Sequence, residues 1–276
     1  MKKINYEKLN EFIASDVIQP FYKIRLERLG FASLEIIAKR KNPYLFKAKN
    51  IETAGDLAKA ILDAFLSSQE ETIFGDLMEN LSIHVCHQVF DGKKAEEGKY
   101  RSIDLIFNRE NKFYIVGIKS GPNWGNSDQV NTMKKNFKKA KQIIRAELGV
   151  KDVTSVNGCI YGRDNHPHKV NKNPDLSYYK ICGQPFWELV SGDDQLYKKI
   201  IQPLDKEAKK RDETFKELYV KKINEMTKDI VNLFYTKDNL DWNEYYNWCK
   251  LWLKEIFRIL KDDGRFCLNH YLSCGQ

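Results

Sequence analysis

Asp104 lies within one of two short β-branched and aromatic runs, Ser102–Phe107, and Lys119 directly follows the other, Lys112–Ile118. The polar stretch Asn108-Arg109-Glu110-Asn111 between the runs gives them the pattern of a β-hairpin. Alternate side chains of a strand share a face, so a carboxylate on the first strand and an ammonium ending the second can be held together. Hydrolysis of a phosphodiester needs such a set: carboxylates for a divalent metal and a cation beside the attacking water or the phosphate. Mg2+ prefers oxygen ligands and keeps several waters, so one or two carboxylates are enough. The position two residues before Lys119, where a second acid would complete the set, is Gly117. Taken alone, an aspartate in a strand and a lysine at a strand end are more often ordinary surface residues.

Other acids can supply the second carboxylate. Glu71, Gly75 and Glu79 are spaced by four and line one face of the helix expected before the hairpin. Glu79 is the first choice, Glu71 the second, and Asp128, beyond the hairpin, the third. The run Ile118–Gln129 reads IKSGPNWGNSDQ. Its Asn123, Asn126 and Gln129 carry both donors and acceptors and can position water or phosphate. Gly121 and Gly125 allow close backbone approach. The plainer readings are a tight helix-capping loop and, for Trp124, a core plug.

The elements that must position these groups follow from periodicity. Apolar spacing predicts a helix over Val17–Leu29, and Asn42-Pro43 breaks what precedes it. Thr53 is an expected N-cap for a helix through Phe65, and a second helix runs from about Glu70 into the eighties. After the hairpin, Ser127 is placed to cap a helix reaching about Glu147. Asp152–Tyr161 reads as a strand leading into another, Arg163–Asp175 as a loop, and Ser177–Val190 as mixed. A long charged helix is predicted from Pro203 to Tyr235. Thr236–Asp241 reads as a linker, Trp242–Leu260 as a helix and Arg265–Leu272 as a strand.

The formal charge is +8 with a pI near 9.0, which favours an anionic partner. No apolar run of membrane-spanning length occurs, no signal peptide is visible at the N-terminus, and the six cysteines form no C-x-x-C pair. The expectation is a cytoplasmic protein with reduced thiols that does not enter a membrane. Behind the motif loop, Val130, Met133, Phe137, Ala140 and Ile144 form a stripe flanked by Lys134, Lys135, Lys138, Lys139, Lys141 and Arg145. Such a stripe is usually a solvated face; beside a metal site it suits tracking of phosphates. Arg163 and its neighbours through His168 offer donors and acceptors to base edges. Cys267, His270 and Cys274 lack a matching half for a zinc site, and zinc is set aside.

An aspartate in one strand followed by x-x-Lys at the end of the next is the core of the PD-(D/E)xK nuclease pattern. The run Lys119–Ser127 resembles the K-S-G-P-N-W-G-N-S core of the PmeII-type family of type II restriction endonucleases. Lys41–Asn50, Leu66–Gly75, Val156–Gly162 and Cys182–Gly192 match it in the same order, so the resemblance covers roughly residues 15 to 235. It implies an α/β (α+β) restriction-endonuclease-like core, a mixed β-sheet flanked by helices. It also implies Mg2+ dependence and cleavage of double-stranded DNA at a short defined site, with 5′-phosphate and 3′-hydroxyl products. A small residue in place of the acid is normal in that family. Such enzymes often act as homodimers matched to palindromic targets.

The expected division is a nuclease domain over 1–235 and a tail over 236–276. The tail, with Lys254-Glu255, Arg258, Leu260-Lys261 and Gly264-Arg265, resembles one helix–strand unit of a DNA amino-methyltransferase. The chain carries neither a glycine-rich S-adenosylmethionine loop nor a D-P-P-Y or N-P-P-Y tetrapeptide, so methylation is unsupported. The roles expected are Asp104, Lys119, Glu79 and Gln129 in catalysis and Asp104, Glu79, Glu71 or Asp128 on the metal. DNA contacts are expected from Asn123, Trp124, Asn126, Lys134, Lys135, Lys138 and Arg163. The alternative is a catalytically degenerate DNA-binding protein of the same fold, for which Gly117 is the best support.

Overall fold

The computed structural model describes residues 2–39, 42–51, 53–96, 98–235 and 250. The expected tail helix and strand, the linker and the Cys267–Cys274 set lie outside the described residues. The chain enters through a short helix α1 (Tyr6–Phe12), a π-helical turn (Ile13–Ile18) and α2 (Gln19–Phe31). Two further short helices follow, α3 (Leu34–Ala38) and α4 (Pro43–Ala48). Pro43 thus opens a helix, where its missing N–H costs nothing.

The next helix, α5 (Ala54–Phe90), is capped by the Thr53 side chain on the Asp56 amide. The sequence predicts two helices here, but the chain forms one of 37 residues. Residues 66–71 (LSSQEE) contain no proline and no glycine, and nothing in them breaks a helix. Ala58, Leu62, Phe65, Met78, Leu81 and Val85 keep its buried stripe in phase throughout.

Six strands form one mixed sheet in the order β1-β2-β3-β4-β6-β5. β1 (Lys93–Lys94), β2 (Leu105–Arg109) and β3 (Lys112–Lys119) are antiparallel, and the predicted hairpin is β2–β3. Glu110 and Asn111, both at positive φ, make the two-residue turn whose twist suits a tight hairpin. β3 then runs through α6 (Ser127–Leu148) into β4 (Val153–Cys159), which lies parallel to it. β6 (Tyr178–Cys182) is parallel to β4, and β5 (His168–Lys169) closes the edge antiparallel to β6. β5 falls inside a stretch predicted as loop; two polar residues directly after Pro167 carry no strand signal. Ser177–Val190 resolves into β6 and α7 (Gln184–Ser191).

The chain finishes its described course with α8 (Leu196–Lys199), α9 (Ile201–Lys209) and α10 (Asp212–Tyr235). The long predicted helix is therefore interrupted at Lys210 and Arg211, where Arg211 binds back to Glu207.

Two apolar cores flank the sheet. On one face Leu105, Val116, Ile118 and Val156 meet α5, α7 and the N-terminal helices; on the other Ile103, Phe113, Ile115 and Val153 meet α6. This alternation is what a two-sided sheet requires. Phe137, fully buried, anchors α6 to the second core. Truncating Phe137→Ala is expected to cost about 3–5 kcal/mol by cavity formation, read as a lower urea midpoint with unchanged slope; an unchanged midpoint would contradict the packing described.

Candidate active site at the end of the hairpin

The β2–β3 ladder ends at Asp104. The Asp104 amide still donates to Val116 O at 2.8 Å, but the Ile118 amide donates to the Asp104 carboxylate, Oδ2, at 2.6 Å. The carboxylate thus takes over as acceptor where the paired backbone turns away. Charge-assisted bonds of this kind are short and fix the carboxylate's direction. Lys119 Nζ lies 3.7 Å from the same oxygen and donates to Ile118 O at 2.6 Å. The two side chains are 23% and 31% exposed, so this ion pair is partly shielded and still reachable from solvent.

Gly117 stands opposite this turn. A Cβ there would sit 2.5 Å from Ser102 O, with the Phe137 ring at ordinary contact distance. Ser102 itself is at positive φ, and its hydroxyl accepts a hydrogen bond from Asn136 of α6. The missing acid therefore has a steric cause: the backbone of Ser102 occupies the space a side chain at 117 would need.

Glu79 reaches the site from α5. Gly75, one turn earlier, lies against the loop after β3: a Cβ on it would fall 2.5 Å from Ser120 Oγ. The face shared by Gly75 and Glu79 is thus turned toward the motif loop. The Glu79 carboxylate is half-buried and makes no hydrogen bond or ion pair among the described residues. Burial, and then the nearby negative charge of Asp104, push its pKa up to about 7; Lys94 and Lys119 pull in the opposite direction.

Two carboxylates from different elements, one of them without a partner, form a donor set suited to a hard cation that keeps part of its water shell. No cluster of three or more His, Cys, Asp or Glu side chains placed for a metal occurs among the described residues. The fit is thus to a cation held by two side chains.

Glu71 is exposed two turns away on α5, about 12 Å along the axis, and Asp128 is exposed in the first turn of α6. Neither stands among the charges acting most on Glu79. Asn126, not Ser127, caps α6, and Asn126 and Gln129 satisfy each other's backbone amides in a capping box. Their oxygens are committed to the helix end. Asn123 is exposed. Trp124 is half-buried, its indole N–H donating to Asn157 Oδ1 at 2.9 Å and its ring 5.7 Å from Lys119 Nζ.

Along α6, Lys134, Lys135, Lys138 and Lys139 make no ion pair among the described residues and are at least partly exposed. Lys141 does not share that face. It is buried, donates to Ser177 O, and burial lowers its pKa. Arg145 is paired with Asp175. Arg163 is exposed, on a loop that Lys180 links to the motif loop by bonding both Asp164 and Pro122 O.

Sequence reasoning missed Lys94, Lys180 and Asn157. Only Asn157 carries a signal, a carboxamide inside the otherwise apolar or small run Val153–Cys159.

Two outcomes follow from this geometry. The folded chain holds the Glu79 proton more tightly than the unfolded chain does, so its contribution to stability declines as pH rises from about 4.5 to about 7. In EDTA, Glu79→Gln should melt above the wild type by a margin that grows across that interval; a margin independent of pH would refute the burial of an uncompensated acid. Restoring the pattern's acid, Gly117→Glu, should destabilise the fold by about 1–3 kcal/mol through overpacking, visible in denaturant titration.

Residues 7–212 match the family described as type II restriction endonuclease EcoO109I, a span that holds Glu79, Asp104, Lys119 and all six strands. The chain also shares 50% identity over 32 residues with the type II methyltransferase M.MjaVI of Methanocaldococcus jannaschii. That segment is 12% of this chain and covers only 16% of the methyltransferase. The restriction-endonuclease resemblance and the mixed-sheet fold expected from the sequence both hold, the family being that of EcoO109I. No helix among the described residues is long and apolar enough to cross a membrane. On the match over most of its length, the chain belongs to the EcoO109I family of type II restriction endonucleases.

Proposed function

We propose that this protein hydrolyses phosphodiester bonds in double-stranded DNA at a defined sequence, with Mg2+ as cofactor and Asp104, Glu79 and Lys119 as its chemical centre. The observation that carries this reading is the meeting of Asp104 and an unpartnered, half-buried Glu79 beside Lys119. Asp104 and Glu79 would hold Mg2+, whose chemistry there would be Lewis-acid polarisation of the phosphate and activation of water. Asp104 is aimed by the Ile118 amide and needs no reorganisation to act as a ligand. Lys119, 3.7 Å from Asp104, presents a positive charge to the scissile phosphate and to the charge that develops on its oxygens. The unpaired lysines of α6 and Arg163 supply contacts to the DNA backbone and bases. Residues 1–235 serve as the nuclease unit, 236–276 as an appendage, and two copies act together on a two-fold target.

Gly117 favours a second reading, a binding-only protein of the same fold. The discriminating experiment incubates purified protein with unmethylated phage DNA in Mg2+ or EDTA. Discrete fragments that require Mg2+, with cutting slowed at least ~10²-fold in Lys119→Ala and in Asp104→Asn, are the expected result. Asparagine is chosen because it leaves the Ile118 amide an acceptor. Salt-sensitive binding without cutting under any metal would establish the second reading. Independently of activity, Mg2+ should raise the melting temperature of the wild type above neutral pH and raise that of Glu79→Gln less.

A further inference from the structure

The centre described above is walled on one side by a side chain that is itself held by a buried residue of the neighbouring strand. Asn157 lies on β4 directly across from Gly117 of β3 and is 1% exposed. Both ends of its carboxamide are used: Nδ2 donates to Gly117 O at 3.3 Å, and Oδ1 accepts from Trp124 Nε1 at 2.9 Å. The assignment is internally fixed, since the flipped amide would set donor against the indole N–H and oxygen against the carbonyl. Gly117 and Trp124 flank Lys119 in sequence. One buried carboxamide therefore ties together the strand that ends in Lys119 and the loop that follows it.

The consequence falls on Lys119. The indole bound to Asn157 places its ring 5.7 Å from Lys119 Nζ, within the roughly 6 Å reach of cation–π attraction. A lysine on a flexible stem needs such a wall to keep its ammonium near one oxygen, here Asp104 Oδ2. The loop that carries Trp124 contains Gly121 and Gly125 and cannot hold the indole by backbone stiffness alone. It is also braced from outside, by Tyr161 packed on Gly121 and by Lys180 on Pro122 O, while the indole N–H itself donates to Asn157.

Resting on the reading of Lys119 as part of the centre, we propose that Asn157 is a positioning residue for DNA cleavage. Through the Trp124 N–H it fixes the indole as the wall that restrains the Lys119 ammonium beside Asp104.

The test compares single-turnover cleavage in Mg2+ and DNA affinity in EDTA for the wild type, Asn157→Leu, Trp124→Phe and the double variant. Each single change should slow cleavage about 10-fold, within the roughly 10²-fold that a 1 Å misplacement can cost, while the Kd of Asn157→Leu for DNA stays within about twofold. Because both changes break the same hydrogen bond, the double variant should be no slower than the slower single one. Slowing that multiplies to about 100-fold in the double variant, full cleavage by Trp124→Phe, or an effect confined to DNA affinity would overturn the inference.

Should Asn157→Leu fail to fold, Trp124→Phe and Trp124→Leu decide the matter: cleavage must fall in the order wild type, Phe, Leu, since phenylalanine keeps an aromatic face and leucine does not. A wild type that binds DNA and never cuts it would instead remove the underlying reading of the site, and this inference with it.

Discussion

Everything at the proposed centre depends on where the β2–β3 ladder stops. Up to Asp104 the two strands exchange backbone hydrogen bonds; one step further, the Ile118 amide finds the Asp104 carboxylate instead. An amide in this partly buried place cannot go unpaired without a cost of about 1–3 kcal/mol, so folding the hairpin itself aims the carboxylate. The same turning away of the backbone at Ser102 fills the space beside Gly117. The acid on the first strand and the glycine on the second are two results of one backbone path. The departure at Gly117 from the usual motif is then a property of this hairpin, and in the proposed centre the second acid comes from another element.

That other element is α5, and its length matters. Its N-terminal half is buried against the small helices and α10, while its C-terminal half meets the sheet. A continuous helix couples the position of Glu79 to the whole of the first core, and Gly75 lets it come close enough to touch Ser120. On the opposite face, α6 carries β3 over into the parallel β4, which sets Gly117 against Asn157. The motif loop and the loop bearing Arg163 both leave the carboxyl ends of these parallel strands, the end at which open α/β sheets commonly bind ligands. Helices on two faces thus deliver groups to one end of one hairpin, and neither face could do so alone.

The hairpin, the loop that follows it and the apolar stripe of α6 are legible in the sequence. In each case the information is local: β-branched runs around a polar turn, a glycine- and asparagine-rich run before a helix, apolar residues at helical spacing. What it left unread depends on tertiary placement. Lys141 has the same local setting as Lys138, yet one helical step turns it under the sheet edge to Ser177 O. Asn126 and Ser127 are both good caps, and the reciprocal bond from Gln129 selects Asn126. Lys94 lies beside Glu79 only because β1 pairs with β2 next to Asp104. β5 exists because β6 offers it an edge, since its two residues have no strand preference of their own.

The electrostatics of Glu79 bear directly on the proposed centre. A carboxylate with its pKa pushed up by burial and by a second carboxylate lowers the stability of the folded chain at neutral pH. An exposed rotamer, or a hydrogen bond of the kind Asp104 receives, would relieve that penalty, and neither is present. Lys94 and Lys119 offset it only in part. A fold that carries such a residue half-buried, three turns before the end of α5, would gain stability from a cation held by the two acids of the proposed centre. This is the usual relation between stability and function at catalytic sites. By the same reasoning Lys119 cannot substitute for that cation: its ammonium is engaged by Ile118 O and Asp104 and faced by Trp124, which leaves Glu79 as the acid still in need of positive charge.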